Sequence, residues 1–231
     1  MGYTLKEMLA APGNYGSTRK AAQIRYIVIH YTGNDGDTAA NNAAYYQRSV
    51  VEASAHYFVD DSTVWRSVPD LVTAWAVGGK KYASCDRTGG GTLHGVVTNA
   101  NSISVELCDT VGDGEYRATE ATLANAAALV VELMDKYGIP PEHVVRHFDV
   151  TGKLCPSYMV DADKWAEFKN RIARRAADNI PAAYAKAAVE WVVRQGIMTG
   201  NADGDLMLNQ PITRQQAAVM LYRCLVKNGT N

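Results

Sequence analysis

His30 closes the short apolar run IRYIVIH, His147 stands near the start of RHFDVTGKLCP, and Cys155 sits near the end of that same stretch, two residues after Lys153. Neutral imidazole and thiolate are good ligands for zinc, and three of them leave one corner of a tetrahedron for water, as catalytic sites do and closed structural sites do not. Between His147 and Cys155 stand the turn residues Asp149, Thr151 and Gly152 without helical periodicity, so the spacing predicts a loop folding back on itself around a metal. Zinc brings the pKa of its water down to about 7, which makes hydroxide available near neutrality. Hydrolysis of an amide there also needs a group to handle protons and a donor for the developing oxyanion. Glu106 and Lys153 are the candidates for those two roles. Taken singly, each residue has a plainer reading: structural histidines at strand ends, a solvated carboxylate and a surface lysine.

The elements that must position these groups are legible as patterns. IRYIVIH, residues 24–30, is β-branched and nearly continuous in its apolar character, as a buried strand is, and ends in the polar YTGNDGD; His30 is therefore expected at the carboxyl end of a strand. Residues 38–51 read as a helix, and AHYFVD and TVWRSV as a strand pair about the turn at Asp60, Asp61 and Ser62. SISVEL, residues 102–107, alternates: Ile103, Val105 and Leu107 share one face, while Ser102, Ser104 and Glu106 share the other. Over residues 119–137 the apolar positions recur at helical spacing, with Thr119 as N-cap and Gly138 as the stop ahead of Pro140. VVRHF reads as another strand, and Asp161 or Asp163 opens a helix bearing Trp165, Phe168 and Ile172.

Strands interleaved with helices make residues 1–175 an α/β domain, with a mixed central sheet flanked by helices and ligand sites at strand ends. The segment ARRAADNIPAA reads as a linker to a small α-helical module over residues 181–231. In that module Tyr184, Ala187, Ala188, Trp191 and Val192 form one helical face, and Thr213–Gln216 forms a capping box ahead of Met220, Leu221, Cys224 and Leu225. Two short amphipathic helices bury little, so the module is expected to need another surface: a copy of itself, the larger domain or a partner. Residues 76–102 form a long Gly-rich stretch without periodicity, expected to wall a binding groove.

Composition excludes several classes. The chain has 231 residues, 47% hydrophobic and 20% charged, with a net charge of −1, which supplies no electrostatic surplus for binding nucleic acid. MGYTLKEMLAAPGNYG has no apolar core of a signal peptide, no stretch is long enough to anchor in a bilayer, and Lys6 breaks the myristoylation pattern that Gly2 begins. The four cysteines are far apart without a CxxC pair, against a disulfide scaffold; Cys85, Cys108 and Cys224 read as buried small hydrophobes. The NADGD turn lacks the downstream glutamate of a calcium loop.

The ordered set IVIHYT, SAHYFVDD, AWAVG, NSISVELC and RHFDVTGKLCP, spanning about residues 20–172, resembles the zinc-dependent N-acetylmuramoyl-L-alanine amidases of the peptidoglycan-recognition-protein type found in many phage endolysins. The resemblance implies one Zn²⁺ per chain on His30, His147 and Cys155, with Glu106 and Lys153 as the catalytic pair. It also implies hydrolysis of the amide between N-acetylmuramic acid and L-alanine in peptidoglycan. Some phage members place a catalytic tyrosine immediately before the histidine of the SAHYF-like strand; here that position is Ala55, which moves the burden to Glu106. His56 and Trp75 are candidate substrate contacts.

The tail, AVEWVVRQGIMTGNADGD…ITRQQAAVMLYR, resembles a single S-layer homology motif, of a kind that binds secondary polymers of Gram-positive walls and usually occurs in threes. Trp191 and Arg214 are candidate wall-polymer contacts, and a single motif makes homo-oligomerisation an expectation. Together these imply a bacteriolytic phage endolysin or prophage autolysin, made in the host cytoplasm without a signal peptide and acting on the wall once the membrane is permeabilised. Two other readings stay open: a non-catalytic peptidoglycan-binding protein on the same fold, and a cysteine hydrolase with Cys155 as nucleophile and His147 as base.

Overall fold

A computed structural model describes residues 3–201 and 205–228; Gly2 and the middle of the NADGD turn, on which the lipidation and calcium-loop readings fall, lie outside the described residues. The chain divides into two compact units, Tyr3–Ile172 and Ala173–Asn231.

In chain order the first unit contains β1 (Thr4–Glu7), β2 (Tyr15–Thr18), β3 (Tyr26–Asp35), α1 (Ala39–Arg48), β4 (Tyr57–Val59), β5 (Thr63–Arg66) and β6 (Val72–Ala74). It continues through α2 (Cys85–Thr88), β7 (Ser102–Gly112), β8 (Glu115–Arg117), α3 (Glu120–Tyr137), β9 (Val144–Arg146), α4 (His147–Thr151) and most of α5 (Ala162–Asn179). Seven of the described strands form one mixed sheet in the order β1-β5-β4-β7-β3-β9, with β8 on β7, while β2 and β6 pair separately. β7 and β9 both run parallel to β3, β4 runs parallel to β7, and β4 and β5 are antiparallel. Both faces of the interior strands are covered: Ile27, Val28 and Ile29 of β3 are fully buried, and in β7 the apolar face of Ile103, Val105 and Leu107 is buried together with Ser102 and Ser104 on the opposite, polar face.

α3 forms as its caps dictate. Thr119 accepts a hydrogen bond from Thr122 N at 3.1 Å, and Gly138 ends the helix in the left-handed region, with φ of 64°. Asp161 opens α5, its carboxylate accepting from the backbone N–H groups of Asp163 and Lys164 at 3.0 Å.

Four local expectations are corrected. β3 extends past His30 to Asp35, with an irregular register after Tyr31, because its polar continuation still pairs with β7. The VVRHF strand ends at Arg146, and RHFDVTGKLCP contains the short helix α4: Asp149 bonds back to Arg146 N at 2.8 Å, closing a capping box on a single turn too brief for periodicity to reveal. The Gly-rich stretch contains α2 and a 3₁₀ turn at Asn99–Asn101. The expected linker is helical through Asn179, since α5 runs on without interruption.

The second unit holds the end of α5, α6 (Lys186–Arg194) and α7 (Arg214–Asn228). The capping box before α7 is reciprocal, Thr213 N to Gln216 Oε1 at 2.9 Å and Gln216 N to Thr213 Oγ1 at 3.1 Å. Arg175 and Asn179 of α5 both bond to the Asp205 carboxylate, at 2.6 and 3.0 Å. No helix is long and apolar enough to cross a membrane among the described residues.

Candidate metal centre and active site

The register of three neighbouring strands assembles the site. Glu106 of β7 pairs with His30 of β3, and Ile29 pairs with Arg146, so the next residue along each strand direction brings His30 level with His147. Side chains level across a parallel sheet project from the same face. One turn of α4 and the return of the chain then deliver Cys155, held by a hydrogen bond from Phe148 N to Cys155 O at 2.9 Å. The stretch does fold back, with a helical turn inside it.

Ligand atoms of His30, His147 and Cys155 lie within 4.8 Å of one another. His30 Nδ1 is 3.9 Å from both Cys155 Sγ and Glu106 Oε1, and the two imidazole rings are 4.7 Å apart at 60°. All three residues are buried. Burial, then the neighbouring His147 and Lys153, hold His30 well below its ordinary pKa, and burial with Lys153 lowers His147 to about 4. Both imidazoles are therefore neutral near pH 7, the ligating form.

His30 Nε2, His147 Nδ1 and Glu106 Oε2 are buried without any hydrogen-bond partner. Uncompensated buried polar atoms are costly, and three of them on the side chains of this one cluster fit a site built to receive something. Two neutral imidazoles and one sulfur form a donor set that suits zinc. Burial pushes Cys155 up to about 12, with the nearby Glu106 adding to it, so without a cation the sulfur is a thiol. With a neutral His147 beside it, that thiol is a poor nucleophile, which turns the chemistry away from the cysteine-hydrolase reading. Burial likewise pushes Glu106 up to about 8 against the pull of Lys153. Lys153 is exposed and lines, with Lys80, Lys81, Tyr82, His147 and Thr151, a cleft of about 440 Å³.

The remaining expected site residues lie apart from this cluster. His56 has no accessible surface: Ser104 N donates to its Nδ1 at 3.0 Å, and its Nε2 lies 3.0 Å from Val72 O and 2.8 Å from the Arg19 guanidinium. Its ring is enclosed and bonded by protein groups on both nitrogens. Trp75 is half-buried, its indole against Gly16, and it does not line the cleft. Trp191 and Arg214 are both exposed in the second unit. Neither lines that unit's apolar cavity of about 620 Å³, around Ile197, Leu206, Ile212, Met220 and Arg223.

Lys80, Lys81 and the aromatic pair Tyr31 and Tyr158 also stand at the site, and no pattern in the sequence marks them. Tyr158 packs edge-on against Tyr31 with centroids 5.8 Å apart, and its hydroxyl is buried without a partner. A tyrosine three residues beyond a ligand carries no sequence signal of that kind. The other histidines are structural: His94 bonds to Gly79 O, and His143 bonds to Arg25 O and stacks on Tyr26. No disulfide joins the cysteines; Cys85 and Cys108 are buried as expected, and Cys224 is half-buried.

A family profile described as N-acetylmuramoyl-L-alanine amidase matches residues 20–158, more than half of the chain and the whole of this constellation. The chain belongs to that amidase family. An S-layer homology profile matches residues 177–218. Among named amidase relatives, CwlL of Bacillus licheniformis is 32% identical over 161 residues, covering 66% of this chain and 42% of CwlL. XlyB of Bacillus subtilis is 30% identical over 201 residues, covering 85% of this chain and 58% of XlyB. The chain thus spans less than half the length of the first of these amidases. The solved catalytic domain of XlyA superposes with a TM-score of 0.57 at 26% identity, over 73% of this chain and 99% of that one; PlyL gives 0.57 at 29%, over 73% and 96%. The amidase fold, a mixed sheet flanked by helices, is therefore that of the Tyr3–Ile172 unit.

Proposed function

We propose that this chain is a peptidoglycan amidase that hydrolyses the bond between the lactyl group of N-acetylmuramic acid and L-alanine, and that it works as an endolysin or autolysin. The observation that carries this reading is the convergence of His30, His147 and Cys155, with unsatisfied nitrogens, beside the carboxyl of Glu106. One zinc ion would be held by those three residues, and when bound it would supply a Lewis acid and an acidified water.

The chain's own groups do the rest. Glu106 is level with His30, and a cation on the three ligands, together with Lys153, would hold its carboxyl ionised against the effect of burial; in that form it takes a proton from the attacking water and returns it to the departing amine nitrogen. Lys153, at the mouth of the cleft, donates to the carbonyl oxygen as negative charge develops there. The buried setting of His30 and Cys155 excludes bulk water and strengthens each of these electrostatic contacts. Ala55, where some relatives use tyrosine, is buried and offers no competing proton donor.

Residues 1–175 would be the catalytic domain and 181–231 the wall-binding module. The module would hold a secondary wall polymer of a Gram-positive host through exposed Trp191 and Arg214, and copies of the chain would associate through its apolar surface. Mass analysis of fragments released from purified peptidoglycan tests the central reading. Expected products are free L-alanine amino termini and lactyl carboxylates; cleavage only within the glycan or the peptide, or none, would refute it.

A further inference from the structure

The cleft beside His147 carries more positive charge than cleavage of a neutral amide requires. Lys80, Lys81 and Lys153 all line it, all are exposed, and none is paired with a carboxylate among the described residues. Like charges left together repel, so the chain must hold them there by other means.

It does so through the backbone. The Gly-rich stretch is tied to the α4 segment by three hydrogen bonds: Tyr82 N to Thr151 O at 2.8 Å, Gly91 N to Phe148 O at 2.9 Å and Leu93 N to Asp149 O at 2.9 Å. Side chains lock the same seam. Cys85, 4% exposed, packs against Gly152, where a Cβ would collide with its sulfur and φ is +83°. A Cβ on Gly90 would come within 2.7 Å of Phe148. The stem of Lys81 lies along Gly91, where a Cβ would meet its Cε at 2.8 Å. Lys80 and Lys81 therefore stand on a wall docked to the segment that carries His147 and Lys153.

We infer that this cleft is an anion subsite for the acidic stem peptide of the substrate, with Lys80 and Lys81 reading the carboxylate of the residue after L-alanine. The inference rests on the amide-hydrolysis reading above. A substrate whose scissile bond sits at the cluster must send one arm past His147. The glycan arm is chiefly hydroxyls and acetamido groups, whereas the peptide arm carries carboxylates, so the charge of the wall assigns the peptide arm to it. Walls in which that carboxylate is amidated would be poorer substrates.

The test uses the full-length, zinc-loaded Glu106→Gln chain and calorimetric binding of two probes, N-acetylmuramoyl-L-alanyl-D-isoglutamate and its amidated counterpart. The acid should bind about fivefold tighter at low ionic strength, with the advantage shrinking in about 0.5 M salt. Lys80→Met with Lys81→Met should bring the two probes within about twofold, while Lys80→Arg with Lys81→Arg should keep the preference. Equal binding of the probes, failure of either to bind, or a preference that survives the methionine pair overturns the inference. Turnover by the unsubstituted chain separates the two readings. Acid preference without cleavage of either probe sinks the hydrolase reading alone, and cleavage of both without acid preference sinks the subsite alone.

Discussion

The two units solve the burial problem in opposite ways. In Tyr3–Ile172 the largest fully buried side chains, among them Phe58, Ile27, Ile29, Ile103 and Leu107, fill the sheet interior, and three of the buried polar atoms without a partner among the described residues belong to His30, His147 and Glu106. In Ala173–Asn231, Ile197 is the only buried hydrophobic side chain among the described residues, while Ile212, Leu221, Tyr222 and Leu225 are between 57% and 73% exposed. The first unit has enough core to hold buried, unsatisfied polar groups in place. The second has an apolar surface in search of a cover, as a module does when it works against a polymer or a neighbour.

That contrast can be broken or sharpened by experiment, and the largest effect is expected at the cluster. Cys155→Ala should lower metal affinity by at least about 100-fold and abolish measurable hydrolysis, checked by metal analysis after dialysis; a variant that keeps stoichiometric zinc would contradict the ligand assignment. Glu106→Gln should keep its metal and lose about 10²–10⁴ in turnover on a soluble muropeptide, and wild-type-like lysis by the folded variant would remove Glu106 from the mechanism.

Next come the supports of the first unit. Phe58→Ala, in the centre of the sheet, should cost about 3–5 kcal/mol in denaturant unfolding. Asp70 is 4% exposed; burial works to raise its pKa, but hydrogen bonds from Lys136, Tyr137 and Tyr57 outweigh it and hold the carboxyl below its ordinary value. A depressed carboxyl contributes stability that is present above its unfolded pKa, about 3.9, and is lost as pH falls through the folded value. Asp70→Asn should therefore destabilise the protein at neutral pH, and should flatten the fall in thermal stability below about pH 4. An unchanged acid limb would show that other carboxylates control it.

The smallest effects on folding belong to the second unit. Leu225→Ala, at an exposed position of α7, should shift unfolding by less than about 0.5 kcal/mol while weakening any self-association seen by sedimentation. Removing residues 180–231 should reduce adsorption to walls and spare hydrolysis of a soluble muropeptide. A large loss on the soluble substrate would mean that the second unit supports the active site directly.

Much of this was written in local pattern. The alternation of SISVEL, the caps at Thr119 and Gly138 and the box at Thr213 and Gln216 are short-range effects, decided by neighbours along the chain, and each stands in the structure as the residues imply. The candidate ligands were legible because residue chemistry limits what two imidazoles and a sulfur can do. Tertiary structure alone decided that β7, β3 and β9 lie side by side in the register that levels Glu106, His30 and His147, since that register depends on pairs far apart in the chain, such as His30 with Glu106 and Ile29 with Arg146. It also decided that His56 is locked between Ser104 and Val72, and that Lys80 and Lys81 stand beside Lys153, because both follow from which loop docks on which segment and no periodicity along the chain encodes that.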